Sequence, residues 1–478
     1  MGVRRSLIVS FAEKYSITFV QLISSLIIAR LLSPTEIGLF SVAMLIIGFA
    51  HMLRDFGVSN YLVQERELSP EKIRAAFTVT LIIAWTAAVL LHLLSPLLAY
   101  FFDQPSLIGL INVLSINFWL IPFSSVAFGL LRRQLNFNAL YWINTLTALV
   151  SSVLAVILAY SGFSFMSLAW AAVAGSVVTV LLTNLFQPDS AIFWPSRHGV
   201  KAVLGFGSKS SVASLAIEAG QSAPELVIGK IINFEAVGFF SRAMGLATLF
   251  NKLIMSAVQS VAIPYFANHN RSDANMAAML EKTLNYLLCI AWPFYVFIAV
   301  FADEIILLLY GDQWGDSVVI AQLLCLVFCI RVIPSIISWS MVSVGEVGKN
   351  MRGRLIWELS SLLFIIPAAY YSVNWVAAGL IFSNLLGLGI FIHYAAVLFG
   401  STLKQLSKLV LMHGVFAVTL GLLLLGYKRW LPAEVSQLYL LLPGAMVLFI
   451  VYFGLFIGVT KHPIWLEVRA RFISGMKG

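Results

Sequence analysis

Residues 7–32 read LIVSFAEKYSITFVQLISSLIIARLL. A helix needs about 20 largely apolar residues to cross a bilayer, and this stretch supplies them. It nevertheless carries Ser10, Lys14, Thr18, Gln21 and Ser25, whose steps of 4, 4, 3 and 4 put them on one helical face. At an offset of 200 residues the face returns as Ser210, Ser214, Glu218, Gln221 and Glu225. The flanks repeat at the same offset. Leu26-Ile27-Ile28-Ala29-Arg30 matches Leu226-Val227-Ile228-Gly229-Lys230, and Gly38-Leu39-Phe40-Ser41 matches Gly238-Phe239-Phe240-Ser241. A duplicated spanning helix with a polar face suggests two halves facing a shared wet cavity. Serines alone would also suit an ordinary helix–helix seam. Lys14, Glu218 and Glu225 suit such a seam poorly.

The composition agrees with a membrane chain. Of 478 residues 60% are hydrophobic and 11% charged, whereas a soluble domain averages roughly 25% charged. One soluble core is excluded, and the reading is an all-α polytopic membrane protein. Fourteen spans are expected, at roughly 7–32, 36–60, 75–101, 107–131, 139–160, 164–186, 203–232, 236–266, 279–302, 317–344, 353–372, 374–399, 406–427 and 437–460. With the N-terminus inside, Lys and Arg divide twenty to four between cytoplasmic and outer segments, which sets the orientation. Both termini are then cytoplasmic. The first helix is expected to be retained, because no short apolar region with a cleavage site follows Arg4-Arg5.

The two striped helices are spans 1 and 7, an offset of six, so the repeats are parallel, about an axis along the membrane normal. The expected division is a six-helix bundle over 1–186, a cytoplasmic connector over 187–202 and a second six-helix bundle over 203–400. Residues 401–478 hold two further spans and a cytoplasmic tail.

Charges inside spans concentrate in spans 1, 2, 7 and 8: Glu13, Lys14, Arg54, Asp55, Lys209, Glu218, Glu225, Arg242 and Lys252. The other spans hold chiefly Arg331 and Glu358. A central charge facing lipid costs about 2.5–3.5 kcal/mol on insertion scales, so these groups face a cavity, pair, or snorkel. In span 8, Arg242, Gly245, Leu249, Lys252, Ser256 and Gln259 recur at helical spacing. Cations lining a cavity imply an anionic cargo, and a guanidinium matches phosphate geometry. Lys14, Gln21, Arg54, Arg242 and Lys252 are therefore the candidate substrate contacts, with Asp55, Glu218 and Glu225 as cavity acids. Structural pairing of Arg242 and Lys252 with Glu225 and Glu218 is the competing reading. Pro224 should kink span 7.

Other chemistry finds little support. Cys289, Cys325 and Cys329 lie in apolar segments, and the last two read as small buried side chains rather than metal ligands. Asp303, Glu304, Asp312 and Asp316 form an acidic outer segment without a larger domain to position it for metal binding or glycosyl transfer. The chain has no P-loop, HExxH or GxSxG motif. No cofactor, no resident metal and no enzyme activity are expected. The net charge of +9 follows from topology. No basic patch interleaved with aromatics points to nucleic acid.

Several stretches resemble a known family. They are Ile28-Ala29-Arg30-Leu31-Leu32-Ser33-Pro34-Thr35-Glu36-Ile37-Gly38-Leu39-Phe40, Asp55-Phe56-Gly57 with Leu62-Val63-Gln64, and Leu131-Arg132-Arg133-Gln134-Leu135-Asn136-Phe137. The second half adds Val237-Gly238-Phe239-Phe240-Ser241-Arg242-Ala243 and Leu309-Tyr310-Gly311-Asp312-Gln313-Trp314. Together they resemble the Wzx-type, WzxC-like polysaccharide flippases of the MOP exporter superfamily, over about residues 4–400. The resemblance implies an inverted-V pair of bundles with spans 1, 2, 7 and 8 lining the cavity. It implies export of undecaprenyl-pyrophosphate-linked oligosaccharide units across the bacterial inner membrane. The implied partners are that substrate, membrane lipids and polysaccharide polymerase machinery. A MATE-like, ion-coupled multidrug exporter of the same superfamily is the alternative. It would want acidic rather than cationic dominance in the cavity.

Overall fold

The structure is a computed structural model that describes residues 3–54, 58–188, 195–196, 200–270, 275–430 and 437–459. Among the described residues every regular element is a helix. A chain this apolar closes its backbone hydrogen bonds within each segment, since lipid offers no partners. By packing it divides into two compact units, Met1–Ser241 and Arg242–Gly478.

The first unit holds α1 (Val3–Leu31), α2 (Pro34–Arg54), α3 (Val58–Gln64), α4 (Pro70–Phe101), α5 (Ser106–Leu120), α6 (Pro122–Arg133), α7 (Phe137–Tyr160), α8 (Met166–Phe186) and α9 (Val200–Ile231). It ends within α10 (Phe234–Ala247). Helix α7 packs against α1 and α8, α5 against α4 and α8, and α9 against α2 and α4. Side chains start several of these helices: Ser69 accepts from the Lys72 amide and Asn136 from the Ala139 amide.

The second unit continues α10 through a π-helical turn, Asn251–Met255, into α11 (Ser256–Asn270). Then follow α12 (Met276–Val300), α13 (Ala302–Tyr310), α14 (Ser317–Ser343), α15 (Val347–Ala369), α16 (Val373–Phe399), α17 (Leu403–Trp430) and α18 (Gln437–Val459). Helix α16 packs on α14 and α15, and α12 on α14. Of the two C-terminal helices, α18 packs on both α17 and α13, and α17 lies on α12. Asn285 and His413 meet there at 2.7 Å, and Lys428 reaches Glu304 at 2.7 Å. That pair accounts for one of the four outer acids.

A helix occupies each of the fourteen expected spans. Among the described residues nine are long and apolar enough to cross a membrane, or up to eleven when each bent pair counts as one span. Helix α15 is not among them, and it carries Arg352, Arg354 and Glu358 in its first half. Span 4 is broken between α5 and α6 by 51°, where Pro122 opens α6. Span 8 bends by 44° at the π turn. Helix α9 runs through Pro224 as one helix. Much of the expected connector and the C-terminal tail lie outside the described residues. The packing boundary and the repeat boundary differ: α9 belongs by sequence to the second repeat and by contacts to the first unit.

The repeat has a structural counterpart. Pro34 opens α2 and Phe234 opens α10, and the two helix starts cross. A Cβ added to Gly38 would fall 1.8 Å from the Phe234 carbonyl oxygen, and one added to Gly238 would fall 2.0 Å from the Pro34 carbonyl oxygen. Nothing larger than glycine fits either place, as at other close helix crossings. Ser41 Oγ donates to Ser241 Oγ at 3.0 Å. Position 34 meets 238, 38 meets 234 and 41 meets 241, which is the relation of a local two-fold axis.

Overpacking a core typically costs about 1–3 kcal/mol, and here the obstacle is backbone that cannot rotate away. Gly38→Val should therefore lower the unfolding temperature of the purified protein in detergent by several degrees. Gly48→Ala, on the same helix but with nothing within 4 Å of the added Cβ, should leave it unchanged or slightly raised.

Candidate functional site

The polar stripes are built as helical faces. On α1, Lys14 and Gln21 are exposed and Ser10, Thr18 and Ser25 half-buried. Beside them Glu13 accepts from the Asn144 amide of α7 at 2.6 Å. On α9, Glu218 and Glu225 are half-buried and Gln221 exposed. The side chains of Ser210, Ser214 and Arg54, and Asp55 altogether, lie outside the described residues.

Arg242 and Lys252 have different surroundings. The Arg242 guanidinium lies 5.7 Å from the Tyr310 ring centre and 5.5 Å from that of Trp314. Trp314 is fully buried, so two aromatic faces hold this cation within its own unit. Lys252 is exposed within the π turn. The stripe counted from Arg242 assumed unbroken α-helical spacing. A π turn inserts an extra residue, which rotates all later side chains by about 100°.

Past that turn the stripe lines something. Ser256 and Gln259, with Asn251, border a cavity of about 260 Å³ between the π turn, α11, α14 and α15. Its charged members are Arg331, Arg354 and Glu358. Arg331 donates to Glu358 at 2.5 Å and lies 4.8 Å over the Trp357 ring. The Glu358 side chain is only 6% exposed. Two opposite charges in neighbouring late spans, Arg331 and Glu358, were the available sequence signal, but the rotation that joins them was not readable. Among the described residues no cluster of His, Cys, Asp or Glu has metal-binding geometry. Cys289 and Cys325 are buried and Cys329 half-buried.

This architecture and its motifs have relatives. The family model described as "Polysaccharide biosynthesis protein" matches residues 27–319. The chain belongs to the polysaccharide biosynthesis protein family. Among curated proteins it is 24% identical to the lipopolysaccharide biosynthesis protein WzxC of Escherichia coli (strain K12), over 95% of this chain and 93% of that one. Among solved structures, the lipid II flippase MurJ in an inward closed conformation aligns with a TM-score of 0.77 at 13% identity, covering 95% of this chain and 99% of that one. An inward-facing multidrug resistance MATE family transporter of the MOP superfamily aligns at 0.62 and 19% identity, over 80% and 94%. The resemblance read from the motifs is borne out in family and in fold.

In this member of the polysaccharide biosynthesis protein family, the motifs are structural devices. Ser33 caps α2: its amide and hydroxyl donate to the Glu36 carboxylate, and its hydroxyl accepts from the Glu36 amide, a reciprocal box. The other Glu36 oxygen accepts from Ser164. At the equivalent position, Asn233 accepts from the Ala236 amide and caps α10. Arg133 donates to the carbonyls of Leu62, Glu65 and Arg66 at 2.9, 2.5 and 3.2 Å, closing the orphan end of α3. The Lys72 ammonium, 2.7 Å away, holds the Glu65 carboxyl below the usual carboxylate range.

Removing one member of a buried ion pair typically costs about 3–5 kcal/mol, because the other charge stays buried. Arg331→Leu should therefore unfold much more readily in denaturant titrations. Arg331→Leu combined with Glu358→Leu should recover most of the loss.

Proposed function

We propose that the protein moves a lipid-linked oligosaccharide unit, carried on undecaprenyl pyrophosphate, from the cytoplasmic to the outer leaflet by alternating access. It acts as a transporter, not an enzyme, in the bacterial inner membrane with both termini cytoplasmic. The observation that carries this reading is family membership together with end-to-end similarity to WzxC. The placement of cations supports it: Lys14, Arg54, Arg242 and Lys252 fall within spans 1, 2 and 8, where a charge costs about 2.5–3.5 kcal/mol if it faces lipid. These four, with Gln21, are the proposed contacts to the pyrophosphate and first sugars. Asp55, Glu218 and Glu225 are the proposed cavity acids. The two six-helix repeats, joined through residues 187–202, are the proposed moving parts.

The function is tested by depletion: the lipid-linked unit should accumulate on the cytoplasmic leaflet, and polysaccharide export should stop. Unchanged export with no accumulation would refute it. Arg242→Ala and Lys252→Ala should each cut export at normal protein level, and Arg242→Lys should restore only part.

Alternating access also requires the α2–α10 crossing to part during the cycle. The Ser41 and Ser241 hydroxyls are 3.0 Å apart, so Ser41→Cys with Ser241→Cys should oxidise to a disulfide that blocks export. A reductant should restore it, and each single cysteine should export normally. Full export by the cross-linked protein would show that the crossing stays shut.

A further inference from the structure

Where α4 ends beside α9, within the first unit, an ion pair stands over an apolar groove. The groove has a volume of about 630 Å³ and is lined by Leu97, Leu98, Tyr100, Phe101, Asp103 and Lys230. Sites for drug-sized ligands run about 300–1,000 Å³, so the groove has room for a small headgroup and the upper part of a hydrocarbon chain. Leu97, Tyr100 and Phe101 are exposed large apolar side chains. Aromatic residues at the end of a spanning helix sit at the level of lipid headgroups.

Aromatic anchoring does not require the ion pair. Lys230 Nζ, in the last turn of α9, lies 2.9 Å from Asp103 Oδ2, just past α4, and 5.1 Å from the Phe101 ring centre. Both side chains stay accessible, Lys230 at 37% and Asp103 at 80%. A pair this open contributes little to folding. Neither group saturates the other, because an ammonium has three donors and a carboxylate accepts at two oxygens. Asp103 also holds a left-handed backbone, φ 54°, which aspartate adopts more readily than most side chains. The two charges cancel in sum but stay separate in place. A ligand complementary to them is itself zwitterionic, with its two charges side by side above an apolar body.

We propose that this groove holds one ethanolamine phospholipid, with its ammonium on Asp103, its phosphate on Lys230 and an acyl chain against Leu97 and Tyr100. The N–H donors of ethanolamine distinguish it from choline, which has none to give the carboxylate. A glycerol headgroup brings the phosphate without a cation and leaves Asp103 facing a like charge. In the proposed orientation this lipid belongs to the outer leaflet. The site uses none of the proposed contacts to the transported unit.

The test is native mass spectrometry of the full-length protein released from nanodiscs of equal parts phosphatidylethanolamine, phosphatidylglycerol and phosphatidylcholine. A charge-assisted hydrogen bond present for one headgroup and absent for another should give about tenfold preferential retention of phosphatidylethanolamine over phosphatidylcholine. Asp103→Asn should abolish that preference and move retention towards phosphatidylglycerol, because Lys230 then stands without its carboxylate. Lys230→Gln should lower phosphatidylethanolamine retention. Successive N-methylation of the headgroup, read on the unaltered protein, needs no variant: retention should persist through the dimethyl lipid, which keeps one N–H, and collapse at choline. Equal retention of ethanolamine and choline lipids, a preference for phosphatidylglycerol in the unaltered protein, or an undiminished ethanolamine preference in folded Asp103→Asn overturns the site. The measurement reads no transport, so its failure leaves the flippase reading standing, and failure of that reading leaves the lipid site standing.

Discussion

The closest approach that the glycines reveal is between two backbones. Gly38 and Gly238 allow α2 and α10 to cross at a separation that a single methyl group would prevent. Several neighbouring features serve that crossing. Ser33 and Asn233 cap the two helix starts, Pro34 occupies the first turn of α2, and Glu36 is tied to Ser164 beyond its own helix. Phe102 packs edge-on against Phe234, and Gly229 gives room to Val42 and Val237. In lipid there is little hydrophobic drive to hold helices together, so close packing and hydrogen bonds must supply the association.

Charge is treated with the same economy. The Arg331–Glu358 pair is stacked on Trp357, and the Arg242 guanidinium is held between Tyr310 and Trp314. In each, an opposite charge or an aromatic face of the protein stands against the charged group. Lys428 and Glu304 do the same where α17 meets the end of α12 and α13. Lys14 on α1 and Lys252 in the π turn are exposed instead. An exposed charge on a spanning helix favours water or a ligand beside it.

The helical architecture was legible because apolar runs of spanning length have few other solutions. The duplication was legible because glycine, serine and cap positions cannot drift freely where backbones touch. Local irregularity was not. Pro122 is visible in the sequence, yet the 51° break beside it depends on how α5 and α6 pack. The π turn contains no proline or glycine, so Ser256 and Gln259 could be put on a stripe but not on the right side of the helix. Arg133 stood out as part of a motif. Its partners, three carbonyls some 70 residues away in sequence, become neighbours only once α3 lies on α6. Pairing of Arg331 with Glu358 likewise depends on the rotation of two helices about their axes, which hydropathy does not encode.

The contact in which residue 34 meets 238 while 38 meets 234 has the form of an interface between two identical molecules. Cut between the repeats, each half would carry one glycine, one serine and one helix cap, and two copies would rebuild the crossing by themselves. Joining the halves in one chain removes the need for equality. Each side can then change alone, provided its opposite accepts the change, and the glycines are the two places where neither can.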